Sequence, residues 1–174
     1  MDVTVVRARP DEVPQVLGVL DEAAGWLAGR GIAQWPDRFV AEWVAGEVAA
    51  GYTWLAWRGD AAVGTVTLDW DDPLWTDEAG AGYVHRLAVR RGAAGLGARL
   101  LGWAAEHTRE RGYDRLRLDC VTHNRGLRAY YEAAGFVDRG DVTVGGAPGQ
   151  RADDGPRTTV TRYELVLSGQ RPLR

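Results

Sequence analysis

Hydrophobic and polar positions follow two different rhythms along this chain, and together they predict a protein with both strands and helices. Short segments with alternating or continuous apolar residues are typical of strands, and they occur at residues 3–9, 52–58, 62–70, 81–89, 115–121, 136–144 and 158–167. Apolar spacings of three and four residues are typical of amphipathic helices, and they predict helices from Pro10 to Gly29 and over 38–49, 95–111 and 124–134. The order β-α-α-β-β-β-α-β-α-β-β predicts a mixed α/β sheet with helices on its faces, because regular βαβ alternation is absent.

The length of 174 residues predicts a single domain over residues 1–174. No basic start followed by an apolar run and no long apolar stretch is visible, so we expect neither a signal peptide nor a membrane span. The lone Cys120 fits a reducing compartment, and we expect a cytoplasmic protein. The Gly- and Asp-rich residues 145–157 predict a loop, which with the last strands could pair with a second subunit as a homodimer.

The composition excludes several kinds of chemistry. All 21 basic side chains are arginines, so a lysine Schiff base and a lysine-containing P-loop are excluded. The only serine, Ser168, lies outside any G-x-S-x-G pattern, which excludes a serine nucleophile elbow. The net charge of -3 argues against nucleic acid as a partner. The three histidines lie far apart without a Cys/His cluster, so we expect no metal site.

A glycine-rich turn between a strand and a helix is the first segment that carries chemistry. Residues 87–98 read LAVRRGAAGLGA, so a strand enters a turn of small residues that opens the next helix. Free amide groups at a helix N-terminus bind anions, and small side chains let a pyrophosphate approach the backbone. A turn that serves only packing is the alternative. A Rossmann fingerprint fits less well, because Leu100 stands where that pattern has its third glycine.

The second segment holds the only asparagine of the chain. Asn124 lies where a strand passes into a helix, a position where asparagine is also a preferred N-cap, and the two roles are compatible. Tyr131 follows seven residues later on the same face of the helix. It is either a packed core residue or a proton donor into a cleft.

Together, these segments resemble the GCN5-related N-acetyltransferase (GNAT) superfamily. The resemblance rests on L-A-V followed by G-x-x-G-x-G and on N-x-x-L-x-x-Y-Y-E-x-x-G-F, in the expected order of elements. It implies a mostly antiparallel mixed sheet of six to seven strands, about four helices and one splayed pair of parallel strands. It also implies an acyltransferase that moves an acetyl group from acetyl-CoA to a primary amine of a small molecule or peptide by direct attack.

The resemblance assigns roles to individual residues. Strands 81–89 and 115–121 would splay to hold acetyl-CoA, Asn124 would contact it, and Tyr131 would protonate the leaving thiolate. The pantetheine arm would pair with the backbone of Leu87, Ala88 and Val89, and the pyrophosphate would lie on the turn formed by Gly92, Ala93, Ala94, Gly95, Leu96, Gly97 and Ala98. One departure is Gly92, where the family usually has Gln or Arg. Arg90 or Arg91 could replace that contact, or it could be missing.

The general base stays open at this point. Family members often place a carboxylate on the strand before the phosphate turn, and residues 81–89 contain none. His85 lies on that strand, and histidine changes its protonation state near neutral pH. A histidine satisfied within the sheet is an equal alternative. Asp69, Asp119 or a water relay are the other candidates for the base, and a backbone N–H of 87–89 would polarise the carbonyl.

The acceptor is equally open. Five tryptophans flank the acceptor end in this fold (Trp26, Trp35, Trp54, Trp70 and Trp75), and core packing explains most of them. Trp35 and Trp75 are the pocket candidates, because they lie in loops. The acidic residues near Trp75 could attract a cationic amine or form a solvated loop: Asp71, Asp72, Asp77 and Glu78. A longer acyl group, an alcohol acceptor or a non-catalytic acyl-CoA-binding module on the same fold are the competing interpretations.

Overall fold

A computed structural model of the chain describes residues 2–145 and 157–168. Its centre is one seven-stranded sheet with the order β1-β2-β3-β4-β5-β7-β6. The strands are β1 (Thr4–Arg7), β2 (Thr53–Arg58), β3 (Ala61–Asp69), β4 (Gly82–Val89), β5 (Arg115–Val121), β6 (Val137–Gly145) and β7 (Arg157–Val166). The mixed sheet and the order of its elements confirm the predicted fold class.

Within the described residues, four α-helices accompany the sheet, as expected: α1 (Val13–Gly29), α2 (Glu42–Ala49), α3 (Leu96–Glu110) and α4 (Arg125–Ala133). The segment Pro10–Glu12 forms a 3₁₀ turn ahead of α1. The prediction for residues 38–49 was too long, since α2 begins only at Glu42. The reason is tertiary: the backbone N–H of Phe39 donates to Asp21 Oδ1 at 2.8 Å, and the buried Phe39 ring packs with α1. No helix in the described ranges has the length and apolar character needed to cross a bilayer.

The parallel pair β4–β5 divides the sheet. All other neighbouring strands pair antiparallel. The parallel pairing covers only Gly82 with Leu116 and Tyr83 with Arg117, after which the two strands diverge toward their carboxyl ends. This splay confirms the parallel pair predicted for strands 81–89 and 115–121, and it opens the sheet on the side where α3 and α4 begin.

The core consists of two clusters of buried residues. One joins α3 and α4 to the sheet and includes Leu100 and Phe136, and the other joins α1 and α2 to it and includes Leu20. Neighbouring residues Leu55 and Ala56 of β2 belong to different clusters, because successive side chains of a strand point to opposite faces. The predicted loop 145–157 lies, apart from its two end residues, outside the described residues.

Candidate active site

A cavity of about 980 Å³ opens where β4 and β5 diverge. This volume is at the upper end of the range for small-molecule sites, so a large ligand and a second reactant can share it. Most of the residues expected at a site line it: Trp35, His85, Leu87, Ala88, Val89, Ala93, Ala94, Gly95, Gly97, Ala98, Asn124 and Tyr131. Gly92, Leu96 and Trp75 are not among its lining residues.

A β-bulge shapes the β4 wall of the cavity. Thr65 pairs with Ala88 and Thr67 with His85, so β4 takes three steps where β3 takes two. The extra residue falls at Arg86, whose φ of 47° is in the left-handed region. Its guanidinium Nη1 donates to Trp43 O at 2.8 Å and to Glu47 Oε2 at 2.5 Å, both on α2. Because a bulge re-aims a strand locally, this one sets the direction of the residues that follow.

The glycine-rich turn ends at Gly95, which precedes α3 with a φ of 78° that favours glycine. The amides of Ala93 and Leu96 donate within the turn, to Arg90 O at 2.9 Å and Ala93 O at 3.1 Å. The Leu96 side chain is buried in the core. The next amides, of Gly97 and Ala98, belong to the first turn of α3, where N–H groups have no partner within the helix. The anion-binding potential is therefore concentrated at the start of α3.

Asn124 is the N-cap of α4, as one of its two expected roles requires. Its Oδ1 accepts from Leu127 N at 3.2 Å. Gln34 Oε1 accepts from Asn124 Nδ2 and from the backbone N–H of Val121, both at 3.3 Å. Gln34 lies in the α1–α2 loop and was not singled out from the sequence, because a long-range contact leaves no local signal there. This loop is therefore tied to the end of β5.

Tyr131 is buried and lines the cavity from α4. Its ring packs against Phe136 and Tyr163, with centroids 5.7 and 6.0 Å away. Burial raises the pKa of Tyr131 far above that of an ordinary phenol, and the nearby Cys120 and Asp119 add to this effect. The phenol thus keeps its proton at neutral pH and is available there as a hydrogen-bond or proton donor.

His85 lies between two carboxylates from separate segments. Its Nε2 is 3.7 Å from Oδ2 of the buried Asp72, whose Oδ1 accepts from Leu74 N at 2.9 Å. Asp119 on β5 completes a group in which one ligand atom per residue lies within 4.8 Å of the others, close enough to hold a metal ion. The sequence did not predict this group, since residues 72, 85 and 119 are brought together only by the sheet.

The two tryptophans expected in the acceptor pocket, Trp35 and Trp75, lie in different places. Trp35 lines the cavity and meets Phe39 edge to face, with ring centroids 5.6 Å apart. Trp75 instead lies against two guanidinium groups, 4.2 Å from that of Arg117 and 5.3 Å from that of Arg162. The structure therefore does not bring Trp75 to the expected acceptor pocket, because the ring lies against Arg117 and Arg162 instead.

The acidic residues near Trp75 also lie in different places. Asp77 forms an ion pair with Arg117, with N–O distances of 2.8 and 2.7 Å. Asp71 lines the cavity together with Asp69. Only part of the acidic loop thus faces the site.

Comparison with known proteins identifies relatives of this arrangement. Residues 20–136 match the model of the acetyltransferase (GNAT) family. The uncharacterized N-acetyltransferase YesJ of Bacillus subtilis (strain 168) is 31% identical over an alignment of 138 positions that covers 72% of this chain and 77% of YesJ.

Solved structures share the fold. A GNAT-family acetyltransferase from Listeria monocytogenes has a TM-score of 0.74 at 22% identity, with 95% of each chain covered. The acetyltransferase yncA from Salmonella typhimurium, solved with acetyl-CoA, has a TM-score of 0.65 at 15% identity, covering 100% of this chain and 99% of its own. The family match spans more than half of the sequence and agrees with the splayed β4–β5 pair. This chain therefore belongs to the GNAT acetyltransferase family.

Proposed function

We propose that this protein is an acetyl-CoA-dependent N-acetyltransferase whose acceptor is a primary amine of a small molecule or peptide. The observation that carries the proposal is a single cavity lined by the phosphate turn, the end of β4 and the buried Tyr131. A donor bound along this cavity would have its phosphates at the anion-binding start of α3 and its thioester near the proton donor Tyr131. The related fold solved with acetyl-CoA supports this choice of donor.

The donor would lie between the splayed strands. Leu87, Ala88 and Val89 would offer backbone groups to the pantetheine arm, since they line the cavity just after the bulge. The start of α3 would hold the diphosphate through its amides and its dipole. Tyr130 contributes to the same region, because a Cβ at Gly97 would lie 3.3 Å from its hydroxyl. A side chain at Gly97 would therefore crowd the Tyr130 hydroxyl at the start of α3.

The reaction would be a direct transfer. The neutral amine nitrogen attacks the acetyl carbon, the new C–N bond forms and the C–S bond breaks. The amine proton passes to a base, and the sulfur takes a proton from Tyr131. A backbone N–H of residues 87–89 would stabilise the carbonyl oxygen as it gains charge. Holding both reactants in one cavity supplies much of the acceleration, because it removes the entropy cost of their encounter.

His85 is the best-placed base among the described residues. It lines the cavity, and the buried Asp72 carboxylate lies within 3.7 Å of its Nε2. Asp72 would keep the ring oriented and would stabilise the imidazolium that forms when the ring takes a proton, as the carboxylate of a catalytic triad does. Asp69 and Asp119 also line the cavity and are the alternative acceptors of that proton.

The acceptor would enter beside Trp35. Asp69 and Asp71 line the same cavity and favour a cationic amine by their charge. The indole offers a π face that binds the cation or its apolar part. We therefore expect amines with an apolar or second cationic group to be better acceptors than acidic amino acids.

The test is release of free thiol from acetyl-CoA in the presence of a panel of amino acids, polyamines, aminoglycosides and peptides. An N-acetyltransferase gives amine-dependent thiol release and an acetylated amine in equal amounts. Saturable binding of acetyl-CoA without thiol release for any amine would instead favour the non-catalytic acyl-CoA-binding module.

The substitution Tyr131→Phe tests the acid. We expect kcat to fall by about 10²-fold, since a general acid typically contributes that much or more. The Kd for acetyl-CoA should hardly change, because the ring remains in place. Tyr113→Phe is the matched control, as Tyr113 packs against Trp70 outside the cavity. An unchanged kcat in Tyr131→Phe would remove this residue as the acid.

A further inference from the structure

The phosphate turn lacks the family's usual Gln or Arg at Gly92, and two arginines precede that position. Arg90 is already engaged. Its Nη1 is paired with the Glu22 carboxylate of α1, and its Nε donates to Ala62 O at 2.8 Å. A Cβ at Gly18 would lie 3.2 Å from its other terminal nitrogen, so the guanidinium is enclosed against α1. Arg90 therefore fastens α1 to the end of β4.

Arg91 differs from Arg90 in the direction of its side chain. Its backbone N–H donates to Glu22 Oε1 at 3.1 Å, while its guanidinium lies over the ring of Trp26, 5.4 Å from the centroid. The Arg30 guanidinium lies over the same ring, at 4.4 Å. Trp26, Arg30 and Arg91 all line the cavity, and Trp26 is 38% exposed. Two guanidinium groups thus share one exposed indole beside the phosphate turn.

The charges around this indole leave a positive surplus. Glu22 stays ionised: burial alone would raise its pKa, but bonds from the Arg91 amide and from Arg90 hold it below the ordinary value. Its charge offsets that of Arg90, while Arg30 and Arg91 add two positive charges that repel each other across one ring. The N-terminus of α3 lines the same cavity and adds a partial positive charge to it. An anion would relieve this repulsion.

Contact with the indole also prepares the guanidinium groups for phosphate. A guanidinium that lies on an aromatic face uses its flat surface and keeps its in-plane N–H donors available. Those donors match phosphate oxygens in pairs, and such charge-assisted bonds are among the strongest in proteins. A side chain already held by the indole loses less entropy when it binds.

We propose that Trp26, Arg30 and Arg91 form a clamp for a phosphate group of the CoA donor, in place of the side chain missing at Gly92. The Arg–Trp–Arg clamp rests on the proposed donor and adds the subsite that selects a phosphorylated carrier over a bare pantetheine thioester. Its ligand is either the diphosphate or the 3′-phosphate of the donor, which share the same chemistry.

The test measures Kd by calorimetry for acetyl-CoA, for its 3′-dephospho form and for acetylpantetheine. Removing both cations in Arg30→Gln/Arg91→Gln should weaken acetyl-CoA binding by about tenfold or more, as expected for lost bonds to a charged group. Binding of acetylpantetheine should be unchanged. If the clamp binds the 3′-phosphate, the variant binds the dephospho form as well as the wild type does, and if it binds the diphosphate, both nucleotides lose affinity.

Two further variants separate stacking from charge. Trp26→Leu should weaken acetyl-CoA binding severalfold while both cations remain, and Arg30→Lys/Arg91→Lys should do the same, since lysine keeps the charge but loses the planar fork. Arg109→Gln is the control for removal of a positive charge away from the cavity, because Arg109 lies at the far end of α3 and pairs with Glu106. Circular dichroism of each variant verifies that the fold is retained.

The outcomes test the proposed clamp separately from the proposed acetyl-CoA donor. Unchanged acetyl-CoA affinity in Arg30→Gln/Arg91→Gln, or an equal loss for acetylpantetheine, overturns the clamp even though the donor is correct. Wild-type protein that binds neither acetyl-CoA nor acetylpantetheine overturns the proposed donor itself, and with it the clamp.

Discussion

Cys120 and Tyr131 are two buried acids that the fold keeps neutral. Cys120 is fully buried in β5, and burial raises the pKa of its thiol from 9.0 to about 12. The pKa of Tyr131 is raised in the same direction by the burial of its own side chain. When a folded-state pKa lies above the unfolded one, the unfolded chain loses its proton first as the pH rises. Both residues therefore stabilise the fold fully below their ordinary pKa values and less above them.

We expect the free energy of unfolding to fall between pH 9 and pH 11, and Cys120→Ala to reduce the steepness of that fall. A single group contributes up to about 1.4 kcal/mol per pH unit in this window. Urea unfolding at several pH values measures the slope, which is compared between the two proteins because the alanine also leaves a small cavity at neutral pH. Parallel curves for wild type and variant would contradict this assignment of the thiol.

At the scale of elements, the bulge in β4 is held by a side chain from within it. Arg86 adopts a positive φ, which costs a residue with a Cβ roughly 1–2 kcal/mol. Its bonds to Trp43 O and Glu47 compensate for this cost and fasten α2 to the strand that lines the cavity. The bulge therefore combines a strained backbone at Arg86 with a contact from the same side chain to α2.

This joint role predicts an unusual order of stability at Arg86. Arg86→Ala loses the contact with α2 and keeps the strain, whereas Arg86→Gly loses the contact and relieves the strain. We expect the glycine variant to be more stable than the alanine variant by about 1 kcal/mol, against the usual preference for alanine over glycine inside strands. Urea unfolding of the two variants measures the difference. An alanine variant at least as stable as the glycine variant would argue against a strained bulge.

At the scale of the whole molecule, a buried charge network closes the sheet opposite the cavity. Arg117 on β5 donates to Glu164 on β7 at 2.8 Å and to the hydroxyl of Tyr83 on β4 at 3.2 Å, and it pairs with Asp77. Arg117 and Tyr83 are also one of the two residue pairs that join β4 to β5. The two halves of the sheet thus meet at this network and separate beyond it, which lets the cavity open without loss of the sheet.

Removing Arg117 should therefore lower the stability of the fold. We expect Arg117→Met to lower the free energy of unfolding by about 3 kcal/mol, the lower end for breaking a buried ion pair, because the buried Glu164 carboxylate keeps Arg139 at 2.8 Å and Arg115 at 3.5 Å as partners. The double variant Arg117→Met/Glu164→Gln should recover part of this loss, because the buried carboxylate that lost Arg117 is then replaced by a neutral amide. The exposed pair of Arg109 and Glu106 provides the control: Arg109→Met should change stability by about 1 kcal/mol or less. Equal losses for the single and double variants would contradict this account.

The sequence alone determined the local features of this protein. The order of elements, the turn before α3 and the N-cap at Asn124 follow from periodicity, glycine positions and capping preferences, which act over a few residues. The two motifs were sufficient to identify the family. The splayed strand pair could also be predicted, but only as an implication of that resemblance.

Only the tertiary structure decided which distant segments of the chain come into contact. Phe39 leaves the expected helix because its amide bonds to Asp21 on α1, and Trp75 lies on Arg117 instead of in the acceptor pocket. The group around His85 and the indole shared by Arg30 and Arg91 join residues from distant segments. Such contacts depend on how the sheet and helices pack. No local pattern encodes them, because the residues that meet are far apart in the sequence.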